Sequence, residues 1–292
     1  MGTKRLRRRV RHVLEWVAAA HIDLRLWLTG KADPELPPLR LRFVGAGDFR
    51  AVGDELKELL VRFGLKPDHR VLDIGSGVGR VAIPLTRYLD AIGTYDGFDI
   101  VRRGVVWCRR HITRRYPNFR FHHVNVRSSE YRERGTSASG FRFPFDDASF
   151  DYAFATSLFT HLVLAETRQY LRESARVLAP GGCLFATFFL LNGHSREALP
   201  RISAPYHFPV DQPPLRLADA ANPAVGVAID EAVLIDLILE AGFVSYEIHH
   251  GKWSARPDGV TFQDLVLCRR DGVCEQRFRQ RDRRQRHGVV LR

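Results

Sequence analysis

Residues 71–80, "VLDIGSGVGR", decide how this chain is read. A short apolar run carrying one acid, Asp73, gives way to glycine at positions 75, 77 and 79. Backbone that rich in glycine approaches a ligand closely. Read as strand then loop, it stands where open parallel sheets bind ligands, beyond a strand's carboxyl end. The strict dinucleotide pattern G-x-G-x-x-G needs glycine at position 80, and the residue there is Arg80. A phosphate loop needs Gly-Lys-Ser/Thr, and no lysine is near.

Working outward, strand-like and helix-like segments alternate. "RVLDI", "YDGFDI", "FRFHHVNV", "FDYAFATS" and "CLFATFFLL" read as five strands. "VGRVAIPLTRYL", "RRGVVWCRRHITRRY" and "LAETRQYLRESARVL" read as helices between them. That order predicts βαβ units and a mainly parallel sheet with helices on both faces. "DEAVLIDLILEAG" reads as a further helix, capped by Asp230 and stopped by Gly242. "FVSYEIHHG" and "TFQDLVLCRR" follow with too short a gap for a helical crossover, so they pair antiparallel. The expected architecture is α/β: a Rossmann-like, seven-stranded, mostly parallel sheet with an antiparallel last strand and an N-terminal helical extension. Residues 192–228, rich in proline and polar side chains, read as an insertion or lid between the fifth strand and the next helix. The domain boundaries expected are 1–40 (basic helix and linker), 41–270 (the α/β domain) and 271–292 (a basic, disordered tail).

The ligand follows from the acids. Asp73 would repel a pyrophosphate but suits an ammonium group or hydroxyls. S-adenosylmethionine carries an ammonium and a sulfonium. Asp99, ending the second strand, could accept from both ribose hydroxyls, although NAD sites use the same device and a helix cap is the bland alternative. Asn125, ending the third, could meet the adenine amino group, with Ile100 and Val126 on either side of the ring; a turn is its alternative role.

The ends of the chain are basic, "KRLRRRVR" and "RFRQRDRRQRHGVVLR", within a net charge of +12. Such runs are usually solvated. Residues 9–28 have near-helical spacing at Val10, Val13, Leu14, Val17, His21, Leu24 and Leu28, with Trp16 and Trp27 beside that stripe; this helix either packs on the domain or lies on a membrane surface. No apolar run of about 18 residues predicts a transmembrane helix, and no cleavage site follows the N-terminal segment. Four cysteines without a CxxC pair point to a reducing cytoplasm and no metal site.

In order along the chain, these segments resemble the class I S-adenosylmethionine-dependent methyltransferases. "VLDIGSGVGR" is similar to their first motif, "YDGFDI" to the second, and "FPFDDASFDYAFATSLFTHL" to the segment around strand 4. "YLRESARVLAPGGCLFATFF" resembles the helix, Pro-Gly-Gly turn and strand 5 of the bacterial, small-molecule members. The resemblance covers roughly residues 40–270. It implies cofactor roles for Asp73, Gly75, Ser76, Gly77, Gly79, Asp99, Asn125 and Ser157, with Leu158 beside the methionine end; Ser76 stands where many members have cysteine. His161, just past strand 4, is the candidate general base, with helix packing as its alternative; His194 and His207 rank below it. "ATSLFT" stands where amino-methylating DNA enzymes carry Asn/Asp-Pro-Pro-aromatic, and no Pro-Cys nucleophile follows the same strand, so DNA is disfavoured. The expected activity is methyl transfer to an oxygen or nitrogen of a small molecule, glycan or lipid intermediate, in a cytoplasmic or membrane-peripheral protein. The alternatives are an RNA methyltransferase, an NAD(P)-dependent oxidoreductase and a non-catalytic S-adenosylmethionine-binding protein.

Overall fold

Alternation along β1 (Arg70–Ile74) organises the molecule. Val71 is buried in one core layer, and Leu72 and Ile74 in the other. The computed structural model describes residues 2–42, 47–128, 135–202, 206–271 and 290–291, with residues 2–13 and 290–291 as backbone only.

Four parallel partners follow β1: β2 (Thr94–Asp99), β3 (Phe119–His123), β4 (Phe150–Ala155) and β5 (Leu178–Phe188). The insertion supplies β6 (Leu190–Leu191), β7 (Val210–Gln212), β8 (Leu215–Leu217) and β9 (Val227–Asp230). The chain returns to the main sheet as β10 (Phe243–His249) and β11 (Asp264–Arg270). The main sheet has the order β10-β11-β5-β4-β1-β2-β3, and only β11 runs against β5. This is the expected seven-stranded sheet with one reversed strand. A two-residue strand, β12 (Val290–Leu291), adds to β10 at the edge. The rest of the tail after Asp271, expected to be disordered, lies outside the described residues.

The helices are α1 (Gly2–Leu28), α2 (Phe49–Arg62), α3 (Ala82–Leu85), α4 (Arg102–Cys108, continued by a π turn to Thr113), α5 (Leu164–Val177), α6 (Gly193–Ala198) and α7 (Glu231–Glu240). Leu60 of α2 and Val105 and Trp107 of α4 pack with Val71, Tyr152 and Phe185 on one face. Leu171 of α5 and Leu234 and Ile238 of α7 pack with Leu72, Ala153 and Leu184 on the other. Complete burial of a side chain such as Phe185 or Leu72 contributes about 1.5–3 kcal/mol. Asp230 caps α7 as expected, accepting from the backbone N–H groups of Ala232 and Val233 at 3.0 and 3.3 Å.

One expectation needs correction. The helix read over "VGRVAIPLTRYL" is only four residues long, because Thr86 turns its hydroxyl back onto the Ile83 carbonyl at 2.7 Å and single turns follow. The insertion at 192–228 has regular structure of its own. Its short strands form a second sheet, β6-β9-β8-β7, beside α6. Phe189, Phe208 and Trp253 build a third, aromatic core cluster beneath that region.

Candidate active site

The strand order reverses direction at β1, which has β2 on one side and β4 on the other. Ligands bind at such a switch point, outside the carboxyl ends of the strands. There the loop after β1 turns through three positive φ angles, at Gly75 (86°), Gly77 (57°) and Gly79 (79°). At Gly79 a Cβ would also stand 2.8 Å from Ile112 Cδ1, so the loop can lie against the helix segment after β2 only with glycine there. The backbone N–H groups of Gly75 and Ser76 donate to the Phe98 carbonyl at 3.0 Å. Asp99 then joins the two loops: one carboxylate oxygen accepts from Gly77 N at 2.9 Å, the other from Val101 N at 2.6 Å.

Beside Asp99 opens a cavity of about 530 Å³. Its walls include Gly75, Asp99, Ile100 and Val126 from the strand ends, Leu158 and His161 after β4, and Pro223 and Ala224 from the insertion. Burial raises the pKa of Asp99, against the opposing pull of the Val101 and Gly77 N–H donors. Ser157, also in the wall, holds a left-handed backbone (φ 57°). Its N–H donates to Thr187 Oγ1 at 2.7 Å and its hydroxyl to Gln263 Oε1 at 3.1 Å, which fixes a conformation serine rarely adopts. His161 sits in the short 3-10 turn after β4. Its Nδ1 is 2.7 Å from the Ala224 carbonyl; a carbonyl only accepts, so Nδ1 carries a proton.

Of the residues nominated from sequence, Gly75, Asp99, Ile100, Val126, Ser157, Leu158 and His161 line this cavity. Asp73, Ser76, Gly77, Gly79 and Asn125 are not among its lining residues. Asp73 follows the pleat of β1 onto the α2–α4 face, where it accepts from the Tyr95 hydroxyl at 2.5 Å. Burial pushes its pKa up to about 7, nearby Asp99 adds to the rise, and Tyr95 and Arg80 oppose it. Gly97 stands opposite Asp73 in register; a Cβ there would meet Tyr95 Oη at 2.9 Å and block that contact. Asn125 is exposed, with its carbonyl accepting from Thr136 N at 2.9 Å. His194 Nε2 lies 3.0 Å from the Ser254 carbonyl, away from the cavity. Among the described residues no group of three or more His, Cys, Asp or Glu side chains could hold a metal, and no helix is long and apolar enough to cross a membrane.

Sequence reasoning did not find Glu166 or Tyr170, which line the same cavity. Glu166 sits at the third position of α5 and accepts from Val163 N at 3.1 Å, so it reads from sequence as a helix cap. Burial raises its pKa. Only its position a few residues past His161 could have drawn attention to it.

The cavity fits S-adenosylmethionine. Asp99 is a nearly buried carboxylate with one N–H donor on each oxygen and lone pairs left for hydroxyls. Ile100 and Val126 give apolar walls for a purine. The fold and this switch-point chamber define the class: a Rossmann-like, class I S-adenosylmethionine-binding domain. Residues 72–186 match the family described as "Methyltransferase domain". The chain is 28% identical over 217 residues to the O-methyltransferase cnsE of Penicillium expansum, an alignment covering 74% of this chain and 67% of that protein. It is 30% identical over 139 residues to the methyltransferase GfsG of Streptomyces halstedii, covering 47% of this chain and 44% of that one. The chain thus spans about two thirds of the length of the first curated relative and less than half of the second. In fold it is similar to the crystal structure of the PH0226 protein of Pyrococcus horikoshii, with a TM-score of 0.53 at 19% identity over 79% of this chain and 95% of that one. The protein thus carries an S-adenosylmethionine-dependent methyltransferase domain, matched over residues 72–186.

Proposed function

We propose that the protein methylates an oxygen or nitrogen of a small molecule whose apolar body lies between Leu158 and Pro223–Ala224. The observation that carries this is the continuity of one chamber from Asp99 to His161, with a wall supplied by the insertion. An oxygen acceptor is favoured by the likeness to a protein named an O-methyltransferase. Residues 41–270 are taken as the catalytic unit, with 192–228 as the cap on its acceptor side.

When bound, the cofactor supplies a methyl group on a sulfonium, which leaves as a neutral thioether and needs no acid. The protein's task is therefore to position the acceptor and take its proton. Asp99 would hold the ribose hydroxyls of the cofactor, and Ile100 and Val126 would flank its adenine. Asp73, Ser76, Gly77, Gly79 and Asn125 act from behind, shaping the loops after β1 and β3. His161, with a proton on Nδ1 toward the Ala224 carbonyl, has Nε2 as the basic nitrogen of its neutral form. The Ala224 contact ties the base to the insertion, so acceptor fit and base orientation are linked.

The test is methyl transfer from labelled cofactor to a panel of phenols, alcohols and amines, alongside calorimetric titration with S-adenosylhomocysteine. His161→Ala is expected to lower kcat by roughly 10²–10⁴-fold while homocysteine-analogue affinity stays unchanged. Glu166→Gln is expected to alter KM more than kcat. Full turnover by His161→Ala would remove the base role. Turnover lost in Glu166→Gln alone would transfer that role to the carboxylate.

A further inference from the structure

Helix α1 carries a stripe of apolar side chains that the described residues leave uncovered. Leu14, Val17, Leu24 and Leu28 recur at helical spacing and are 52–68% exposed; Trp16 and Trp27 beside them are 47% and 70% exposed. The helix is held by its other side. Asp23 accepts from the backbone N–H groups of Leu39 and Arg40 at 2.6 and 3.2 Å and pairs with the Arg40 guanidinium at 3.0 Å. The side chains half-buried there are Ala19, Ala20, Asp23 and Leu26. The stripe is therefore presented outward by an anchored helix.

Basic residues dominate the charge around it, against Glu15 and Asp23 on α1 and Asp33 and Glu35 in the segment that follows. "KRLRRRVR", residues 4–11, falls in the first turns of α1, which has no acid in its first turn. Residues 100–128 hold eight arginines and no Asp or Glu. Of these, Arg102, Arg103, Arg109 and Arg110 are exposed along α4 and its π turn, and Arg114 and Arg115 just after it. The chain leaving α1 runs onto that helix, where Pro34 and Glu35 share a small cleft with Trp107, His111 and Arg115.

We propose that α1 binds the surface of an anionic phospholipid bilayer, with its leucines and two tryptophans in the headgroup–acyl boundary and its basic residues on the phosphates. A helix with a basic first half and exposed leucines and tryptophans has the composition of an interfacial helix. A nucleic acid would use the cations but not the leucines. A second copy of this chain would bring like charges together beside the stripe. The inference stands independently of which molecule accepts the methyl group.

The experiment uses the full chain with vesicles of phosphatidylcholine alone and of equal parts phosphatidylcholine and phosphatidylglycerol. Co-sedimentation is expected with the anionic vesicles only, weakening as salt rises. Tryptophan emission should shift to the blue on binding. Trp107 and Trp253 are already buried, so that shift reports α1. Trp16→Ser with Trp27→Ser is expected to weaken vesicle binding roughly tenfold or more, while S-adenosylhomocysteine affinity, the control for folding, is unchanged. Arg8→Gln is expected to weaken it about fivefold. The proposal is overturned if neither vesicle binds. It is also overturned if the tryptophan variant binds anionic vesicles as well as the parent while RNA competes, since the cations alone then act. A concentration-dependent dimer lost in that variant, without vesicle binding, would overturn it too, by making the stripe a contact between copies.

Discussion

Asp73 and Asp99 are two buried acids with different work. Asp99 faces the chamber and ties the loops after β1 and β2 through Gly77 and Val101. Asp73 faces the opposite layer and meets Tyr95, so it acts on the glycine loop from beneath. Its pKa of about 7 has a consequence for stability. Below the ordinary value of 3.8 the group is protonated in both the folded and the unfolded chain and contributes no pH dependence. Between 3.8 and about 7 the unfolded chain releases the proton and the folded chain keeps it, so stability falls as pH rises. Above that window both states are ionised and the loss levels off. Asp73→Asn removes this slope. Urea unfolding at pH 5 and pH 8 is expected to show the parent losing, relative to the variant, on the order of 1–3 kcal/mol as pH rises. Parallel pH dependence in the two proteins would mean that Asp73 ionises normally in the fold.

At the scale of elements, the irregular segment 141–147 is fastened to α5 by Arg176, Glu173 and Gln169, whose Nε2 donates to the Phe141 carbonyl at 3.0 Å. Arg176 pairs with Glu173 at 2.6 Å and Asp147 at 2.7 Å, and donates to the carbonyls of Phe145 and Phe143 at 2.9 and 3.1 Å. Glu173 in turn accepts from Phe143 N at 2.7 Å. This holds the Phe143 ring 4.9 Å from Phe98 and 5.2 Å from Tyr170, and both of those rings reach the cavity wall. The side chains of Arg176 and Glu173 are only 15% and 9% exposed, so the pair is not a screened surface contact. Arg176→Met leaves a buried carboxylate without its cation and is expected to destabilise the protein by about 3–5 kcal/mol in chemical denaturation. S-adenosylhomocysteine affinity should weaken with it, because Phe98 and Tyr170 lose their backing. A loss below about 1 kcal/mol would put this knot in the class of exposed ion pairs.

Across the whole molecule, what the sequence discloses depends on how regular the local pattern is. The strands β1, β2, β4, β5 and the β10–β11 pair are legible because each is a short apolar run bounded by turn residues. The glycine loop and Asp99 are legible because their spacing is fixed by one strand–loop–helix unit. The second sheet is not legible, since β6 to β9 are two to four residues long and lie among prolines. Nor is the facing of Asp73, which depends on Tyr95 lying across Gly97 in the neighbouring strand. Glu166 was hidden because one side chain caps α5 and faces the chamber at once. The union of the two sheets depends on another buried acid that no local pattern marks. Asp264, the first residue of β11, accepts from Leu190 N and Gly251 N at 2.7 Å and from Trp253 Nε1 at 2.6 Å. It thereby fastens β6, the aromatic cluster and the main sheet to one carboxylate that is 1% exposed. Asp264→Ala leaves three buried donors unpaired, each worth about 1–3 kcal/mol. Hydrogen exchange by mass spectrometry is expected to show faster exchange over residues 190–230 in this variant, with β1 and β4 keeping most of their protection. An equal rise in every segment would show that Asp264 supports the fold as one unit; a rise confined to the insertion would show that it controls how firmly the cap is held over His161.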